Sequence, residues 1–395
     1  MEKMMDYLSW RGDIPFSVSP LNEADCYLIC KIGAIDWEGI ISRQSDPIPF
    51  RFAAEEYFMK YGEEGSSTVK LAGPELIPVI KKASRSERFG GIGLSGFINI
   101  IERRKTEQFS ALTVTLPDGM HFITFRGTDD NILAWKENFY LSCSDYVSAQ
   151  RDALAYLRYH TTLFEGPFIV GGHSKGGNLA IYSACTAEES LQNRIDSVYC
   201  FDSPGFHSEY YSTPGYKAMS GRIFKIIPRN SLVGTLLDNP HDVITVNSDS
   251  FGIAGHSGFN WETCASGFVR CGELSKSSRV FDTSIDSVLA GMDTEARRDF
   301  IDALFEILDS SGATTVTELT ERGRKAMLAL GMDLIKNDET KQFIYSLIRQ
   351  IARDYVSETQ RGIREENRAL RKEREIRRQA KALRENNGHS STPLP

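Results

Sequence analysis

The sequence lacks a long apolar run. No stretch approaches the ~20 consecutive apolar residues that a transmembrane helix needs. The first residues, MEKMMDYLSWRGD, also lack the basic and then apolar segments of a secretory signal. We therefore expect a cytoplasmic protein without a transmembrane segment.

Cysteines are few and scattered along the chain. Cys26 and Cys30 share a helical face by their spacing, but two thiols without further ligands favour packing over metal binding. The spacing fits neither a zinc site nor a disulfide framework. We therefore expect these cysteines to pack in the core and to bind no metal. No organic cofactor is predicted either. The seven cysteines lie at positions 26, 30, 143, 185, 200, 264 and 271.

The composition is that of an ordinary globular protein, with 41% hydrophobic and 25% charged residues. A length of 395 residues predicts one large domain, or one domain with an appendage. We assign the large domain to residues 1–280, a helical appendage to residues 281–360, and a charged helix and disordered tail to residues 361–395. No nucleic-acid partner is predicted.

The carboxyl-terminal region predicts helices with apolar residues at three- and four-residue spacing, over residues 294–308, 316–330 and 339–358. Residues 361–385 contain ten Lys or Arg and five Asp or Glu. The commonest meaning of such a segment is a solvated helix. A more specific alternative is peripheral contact with a membrane surface or an acidic partner. The weak apolar face of this segment argues against deep insertion into a membrane.

Three glycines in GIGLSG, at positions 91, 93 and 96, have the spacing of a dinucleotide-binding loop. Such a loop must follow a buried strand, and the preceding residues are the polar KKASRSERF. We therefore reject that interpretation and predict a plain loop at these positions. Upstream, residues 22–41 predict a helix followed by a loop, and residues 50–61 predict a second amphipathic helix.

The strongest motif lies within PFIVGGHSKGGNLAIYSACTA, residues 167–187. A short apolar run predicts a buried strand, and the later Ala- and Leu-rich residues predict a helix packed on a sheet. Ser174 stands at the turn between them, with Gly172 and Gly176 two residues away on either side. This G-x-S-x-G pattern is typical of a strained turn that exposes a nucleophilic serine.

A hairpin is predicted upstream, with strands at residues 109–116 and 121–125 joined by a Pro-Asp-Gly turn. The second strand continues into FRGT, which ends at Thr128. This segment, followed by Trp135, Asn138 and the G-H-S-x-G-G turn, resembles the class 3 lipase family of α/β-hydrolases.

Later positions strengthen the resemblance, which covers roughly residues 109–262. YCFDSPGF resembles the strand and turn that come after the nucleophilic serine in these lipases. His256 lies where the family has its histidine, and Trp261 follows it. YLSWRGDIPF and SPLNEAD resemble a bacterial branch of this superfamily whose function is unknown. The resemblance implies an α/β fold with a central, mostly parallel sheet.

The same resemblance implies a catalytic site. Ser174 is the expected nucleophile and His256 the expected base, and the chain order Ser, Asp, His is that of the hydrolase fold. The expected oxyanion donors are Thr128 and the backbone N–H of Lys175. Without a catalytic role, Thr128 would cap the following helix. The Lys175 side chain is expected to pair with a carboxylate or to contact an anionic substrate.

The position of the acidic residue of the expected catalytic site departs from the family pattern. IIPRNSLVG replaces the usual D-x-V-P segment, with Asn230 and Ser231 near the expected place. We choose Asp202 instead, because it ends a strand-like SVYCF run from which some lipases of this fold take their acid. Asp238 and Asp242 are the alternatives, and a structural role for Asp202 in capping the following turn stays open.

The predicted function is that of a serine hydrolase that cleaves carboxylic esters through an acyl-enzyme on Ser174. The substrate is a small-molecule or lipid ester, and the family resemblance favours acyl lipids. The alternative is a catalytically inactive protein of the same fold that acts as a binding module or scaffold. A thioesterase or peptidase is a lesser alternative, because the same catalytic groups serve several acyl substrates. Residues 130–145 follow the oxyanion motif, where lipases of this type often place a lid.

Overall fold

The computed structural model describes residues 1–44, 46–65, 75–102, 107–127, 147–239, 242–250 and 255–276, and the single positions 140, 278, 279, 282, 295, 298 and 302. The chain divides into two units, Met1–Leu330 and Gly331–Pro395, and all the described residues belong to the first. Thr128 lies outside the described residues, as do the predicted lid apart from Tyr140 and almost all of the predicted carboxyl-terminal helices. The proposed domain boundaries therefore stay predictions.

The described helices and strands follow one another in chain order. The helices are α1 (Met4–Arg11), α2 (Glu23–Ile32), α3 (Phe50–Tyr61), α4 (Leu76–Ser84), α5 (Ser148–Leu163), α6 (Lys175–Thr186), α7 (Glu189–Gln192) and α8 (Pro214–Met219). The strands are β1 (Ile48–Pro49), β2 (Gly93–Glu102), β3 (Glu107–Thr115), β4 (His121–Phe125), β5 (Phe168–His173), β6 (Ile195–Phe201), β7 (Ile223–Pro228), β8 (Ile244–Val246), β9 (Thr263–Cys264) and β10 (Gly267–Phe268).

The strands β1 to β8 form one mixed sheet in sequence order, and β9 pairs with β10 in a separate hairpin. The pairs β1–β2, β2–β3 and β3–β4 are antiparallel, and each neighbouring pair from β4 to β8 is parallel. Parallel neighbours need a crossover connection, which α5 and α6 provide on either side of β5. The sheet therefore brings the carboxyl ends of β4, β5, β6 and β7 to one edge.

Helices cover both faces of this sheet. Side chains alternate between the two faces of a strand. Phe122 and Ile169 thus contribute to a core with helices α1 to α4, whereas their neighbours Ile123 and Val170 contribute to a core with α5 and α6. A mostly parallel sheet buried between helical layers is the α/β-hydrolase architecture that the sequence predicts.

Two elements predicted from the sequence within the described residues are confirmed. The hairpin forms as β3 and β4, and the predicted amphipathic helix spans Phe50–Tyr61. The predicted loop is wrong at Gly93 and Gly96, because β2 begins at Gly93, whereas Gly91 lies in the turn before it. Gly96 has φ +67° at an irregularity in the pairing with β3, and a Cβ there would lie 2.1 Å from Cε1 of His160. A glycine at a bulge in a strand explains what the sequence suggested was a loop.

No helix in the part of the chain described above is long and apolar enough to cross a membrane. Cys26 and Cys30 are buried in the core around α2, with the thiols free. Burial raises the pKa of the Cys30 thiol to about 12, so this cysteine packs as a neutral, apolar side chain.

Candidate active site

The turn between β5 and α6 holds Ser174 in a strained conformation, with φ 58° and ψ −134°. The glycines on either side are required by close packing. A Cβ on Gly172 would lie 2.2 Å from the carbonyl carbon of Gly176, and a Cβ on Gly176 would lie 2.1 Å from the carbonyl oxygen of Phe125. Only glycine fits these positions, so the G-x-S-x-G spacing follows directly from the geometry of the turn.

The loop after β4 lies against the serine. A Cβ on Gly127 would be 2.9 Å from the Ser174 Cβ and 2.4 Å from the His173 carbonyl oxygen. The backbone at Gly127 therefore runs directly past the serine. Lys175 begins α6, where backbone N–H groups have no carbonyl partner within the helix. Its buried side chain donates from Nζ to the Gln108 carbonyl oxygen at 2.8 Å.

Asp202 and His256 are brought together from segments 54 residues apart. The His256 Nδ1 lies 2.6 Å from Asp202 Oδ2. Asp202 is fully buried directly after β6, with φ 40°, and its backbone N–H donates to the Ile226 carbonyl oxygen at 2.8 Å. Because a carboxylate only accepts, Nδ1 carries the proton, and in the neutral imidazole Nε2 carries the lone pair.

The second carboxylate oxygen of Asp202, Oδ1, also accepts hydrogen bonds. Ser231 Oγ donates to Oδ1, and the backbone N–H of Gly234 donates to the same oxygen at 3.0 Å. A Cβ on Gly234 would lie 2.4 Å from Oδ1, so only glycine allows this approach. Sequence reasoning missed this role for Ser231, although Ser231 lies in the segment where the family pattern places its acid.

The two alternative acids lie elsewhere. Asp238 and Asp242 are both exposed, whereas Asp202 is buried and bonded to the imidazole. The backbone of Asp238 forms an isolated bridge with Phe206. Neither alternative shares the environment that keeps the Asp202 carboxylate fixed beside His256.

His173 connects the turn at Ser174 to the His256 loop, which comprises residues 255–261. Its Nε2 lies 2.8 Å from the His256 carbonyl oxygen, and its Nδ1 lies 3.5 Å from Nζ of Lys31. Burial, the neighbouring Lys31 charge and His256 hold the pKa of His173 well below its usual range. The carbonyl only accepts and the ammonium only donates, so the neutral ring carries its proton on Nε2.

The described residues contain no group of three or more His, Cys, Asp or Glu side chains that could hold a metal ion. The groups assembled at the end of the sheet are instead a serine at a strained turn, an imidazole and a buried carboxylate. In this order along the chain, such groups are those of nucleophilic acyl transfer.

A model of the Mbeg1-like family matches residues 83–306, more than half of the chain. The chain belongs to this family. The Mbeg1-like family is lipase-like, so the superfamily predicted from the sequence is confirmed, while the bacterial branch stays a prediction. The matched range includes Ser174, Asp202 and His256 and excludes α2.

Solved structures similar to this Mbeg1-like chain include lipases. The crystal structure of M37 lipase is 15% identical, with a TM-score of 0.33, over 47% of this chain and 68% of that chain. The native Rhizomucor miehei lipase propeptide complex is 14% identical, with a TM-score of 0.31, over 52% of this chain and 67% of that chain. A search of the curated proteins found no match.

Proposed function

We propose that this Mbeg1-like protein is a serine hydrolase that cleaves carboxylic esters through an acyl-enzyme on Ser174. The observation that carries the proposal is the 2.6 Å contact between His256 Nδ1 and Asp202 Oδ2, at the same sheet edge as the strained serine. A buried carboxylate bonded to an imidazole is the arrangement that makes histidine an effective base.

The chemistry assigns a role to each group. A serine hydroxyl is a poor nucleophile at neutral pH, so the Nε2 lone pair of His256 accepts its proton as the oxygen attacks the ester carbonyl. Asp202 fixes the Nδ1–H tautomer and stabilises the imidazolium. The imidazolium then protonates the departing alcohol, and water activated by His256 hydrolyses the acyl-enzyme.

Negative charge that develops on the carbonyl oxygen needs donors already in place, and losing one donor typically costs about 3 kcal/mol in the barrier. The backbone N–H of Lys175 is suited to this role because it opens α6, whose amino-terminal end attracts negative charge. Thr128 follows Gly127, whose backbone passes the serine, and the family resemblance supports it as the second donor.

Acyl lipids are the substrate class that we favour within this proposal. The support is membership of a lipase-like family. The arrangement of serine, imidazole and carboxylate serves esters, thioesters and peptides alike. Substrate preference is therefore decided by comparing hydrolysis of short- and long-chain p-nitrophenyl esters with that of a matched thioester.

The test of the reaction class is covalent labelling with a fluorophosphonate, followed by mass mapping of the labelled peptide. We expect labelling at Ser174, none in Ser174→Ala, and nearly none in His256→Ala. Asp202→Asn keeps the shape of the acid but favours the wrong tautomer, so we expect labelling to slow by about 10⁴-fold. Folded wild-type protein that stays unlabelled at Ser174 would instead favour the inactive scaffold.

A further inference from the structure

Three polar residues of α2 lie on one face of the helix. Glu23, Tyr27 and Lys31 are four residues apart, which places them in one row along an α-helix. All three are buried. This row faces the loop of His256 and the turn at the serine, although α2 lies outside the range that matches the family model.

Tyr27 contacts the loop of His256 directly. The backbone N–H of Gly258 donates to its hydroxyl oxygen at 2.8 Å, and a Cβ on Gly258 would lie 2.5 Å from the Tyr27 Cζ. Burial raises the pKa of Tyr27 far above its usual range, so the phenol stays neutral. On the amino-terminal side of His256 in the sequence, the Gly255 carbonyl oxygen accepts the indole N–H of Trp261 at 2.9 Å. The loop is thus held on both sides of His256.

Lys31 acts on the same loop through His173. Its ammonium faces Nδ1 of His173 at 3.5 Å, which leaves the proton of the neutral ring on Nε2. That proton is donated to the His256 carbonyl oxygen at 2.8 Å. The backbone of His256 is therefore fixed by a side chain whose tautomer is set by Lys31 together with the His256 carbonyl.

Glu23 contacts the β9–β10 hairpin, which follows the His256 loop along the chain. Its carboxylate accepts the backbone N–H of Phe268 at 2.7 Å and pairs with Arg270 at 2.6 Å. Gly267 has φ 132°, and a Cβ there would lie 2.2 Å from the Glu23 Cγ. The hairpin after the His256 loop is therefore packed against the same row of α2.

We propose that Tyr27 and Lys31 are positioning residues that set the imidazole of His256 against Ser174. This inference rests on the proposed function. Helix α2 then forms part of the catalytic framework. Displacement of a reacting group by about 1 Å can cost about 100-fold in rate, so loss of either contact should slow the chemical step.

The test uses the full chain and compares Tyr27→Phe, which removes only the hydroxyl, with Tyr7→Phe. Tyr7 is equally buried, but its hydroxyl donates to Asp25 at 2.6 Å and accepts from Asn22 at 2.9 Å, so its hydrogen bonds lie with residues 22–25 and not with Gly258. We expect Tyr27→Phe to lower the first-order rate of fluorophosphonate inactivation by about 10- to 100-fold with an unchanged inhibitor affinity. Tyr7→Phe should lower stability and leave that rate within about twofold.

Lys31→Met is the second variant, and it should also slow inactivation without weakening probe binding. For all variants, NMR of the deshielded Nδ1 proton of His256 reports whether the bond to Asp202 is kept in its native geometry. This proton should shift or broaden in Tyr27→Phe and Lys31→Met and stay unchanged in Tyr7→Phe.

The outcomes separate the two proposals. If the wild type is labelled and both α2 variants react at its rate, the positioning role is wrong and the hydrolase proposal stands. If the wild type is not labelled, the hydrolase proposal fails, and the Nδ1 resonance still decides whether α2 sets the imidazole. An unchanged resonance in both α2 variants overturns the positioning role.

Discussion

Ser174 and Asp202 directly follow neighbouring parallel strands, and both have a positive φ, of 58° and 40°. The preceding residues, His173 and Phe201, are paired in register, and the Ser174 N–H donates to the Phe201 carbonyl oxygen at 2.9 Å. A left-handed backbone at a residue other than glycine costs on the order of 1–3 kcal/mol. Two such residues side by side favour a functional explanation, since both turns direct side chains to one sheet edge.

The strain at Ser174 predicts an unusual order of stability. Glycine adopts a φ of 58° without penalty, whereas alanine does not. We therefore expect Ser174→Gly to be more stable than Ser174→Ala by about 1 kcal/mol, after the entropy that glycine adds to the unfolded chain. Urea unfolding of the two variants measures the difference, and neither has a nucleophile. Equal stability, or a more stable alanine variant, would contradict the assignment of strain.

The bond from Ser231 to Asp202 predicts a role in reactivity. Ser231→Ala removes a hydroxyl donor from the buried carboxylate, and hydrogen bonds to charged groups contribute about 1.5–3 kcal/mol. We expect fluorophosphonate labelling to slow by about 10-fold. Ser183→Ala is the matched control, because this buried hydroxyl donates to the Ala180 carbonyl oxygen within α6. Equal labelling rates in the two variants would show that the Ser231 contact is unimportant.

The elements around the serine were predictable because their signals are local. Two glycines at fixed spacing and an apolar run predict the turn at Ser174, and alternating β-branched residues with a Pro-Asp-Gly turn predict the β3–β4 hairpin. The place of Asp202 at a strand end was likewise visible in the SVYCF run. Its catalytic role, like that of His256, stays a prediction.

What the sequence could not show depends on contacts between distant segments. Tyr27 and Gly258 are 231 positions apart, and the pattern of α2 predicts a helix without showing which loop its polar row meets. Gly96 was mistaken for part of a loop because its partner, the ring of His160, comes from α5. Thr128 lies outside the described residues, so its proposed role depends on the family resemblance and on its place directly after Gly127.

The buried ion pair between Arg88 and Asp25 predicts a large effect on stability. Both side chains are inaccessible to solvent, and the Arg88 Nε donates to Asp25 Oδ1 at 2.9 Å. Arg88→Met leaves a buried carboxylate without its charge partner, which should lower the free energy of unfolding by 3–5 kcal/mol, a rough range for such pairs. Arg158→Met at the exposed pair with Glu188 should cost under about 1 kcal/mol. Urea unfolding compares the two, and similar losses would contradict this account.

The burial of the His160 imidazole leads us to expect a loss of stability in mild acid. It is buried, stacks on Tyr156 at 3.9 Å, and its Nδ1 lies 3.1 Å from Thr113 Oγ1. Burial lowers the pKa of His160 from 6.5 to about 4. Between these values the unfolded chain binds a proton that the folded chain does not, so the free energy of unfolding falls as the pH falls from 6.5 to about 4.

His160→Gln removes this titrating group and keeps a polar partner for Thr113. The wild-type stability minus that of the variant should be constant above about pH 7 and should decline by about 3 kcal/mol by pH 4, since each pKa unit corresponds to about 1.4 kcal/mol. Urea unfolding at a series of pH values measures the difference. A difference that stays constant across the whole range would show that His160 titrates alike in the folded and unfolded chains, and that its burial beside Tyr156 does not exclude the proton.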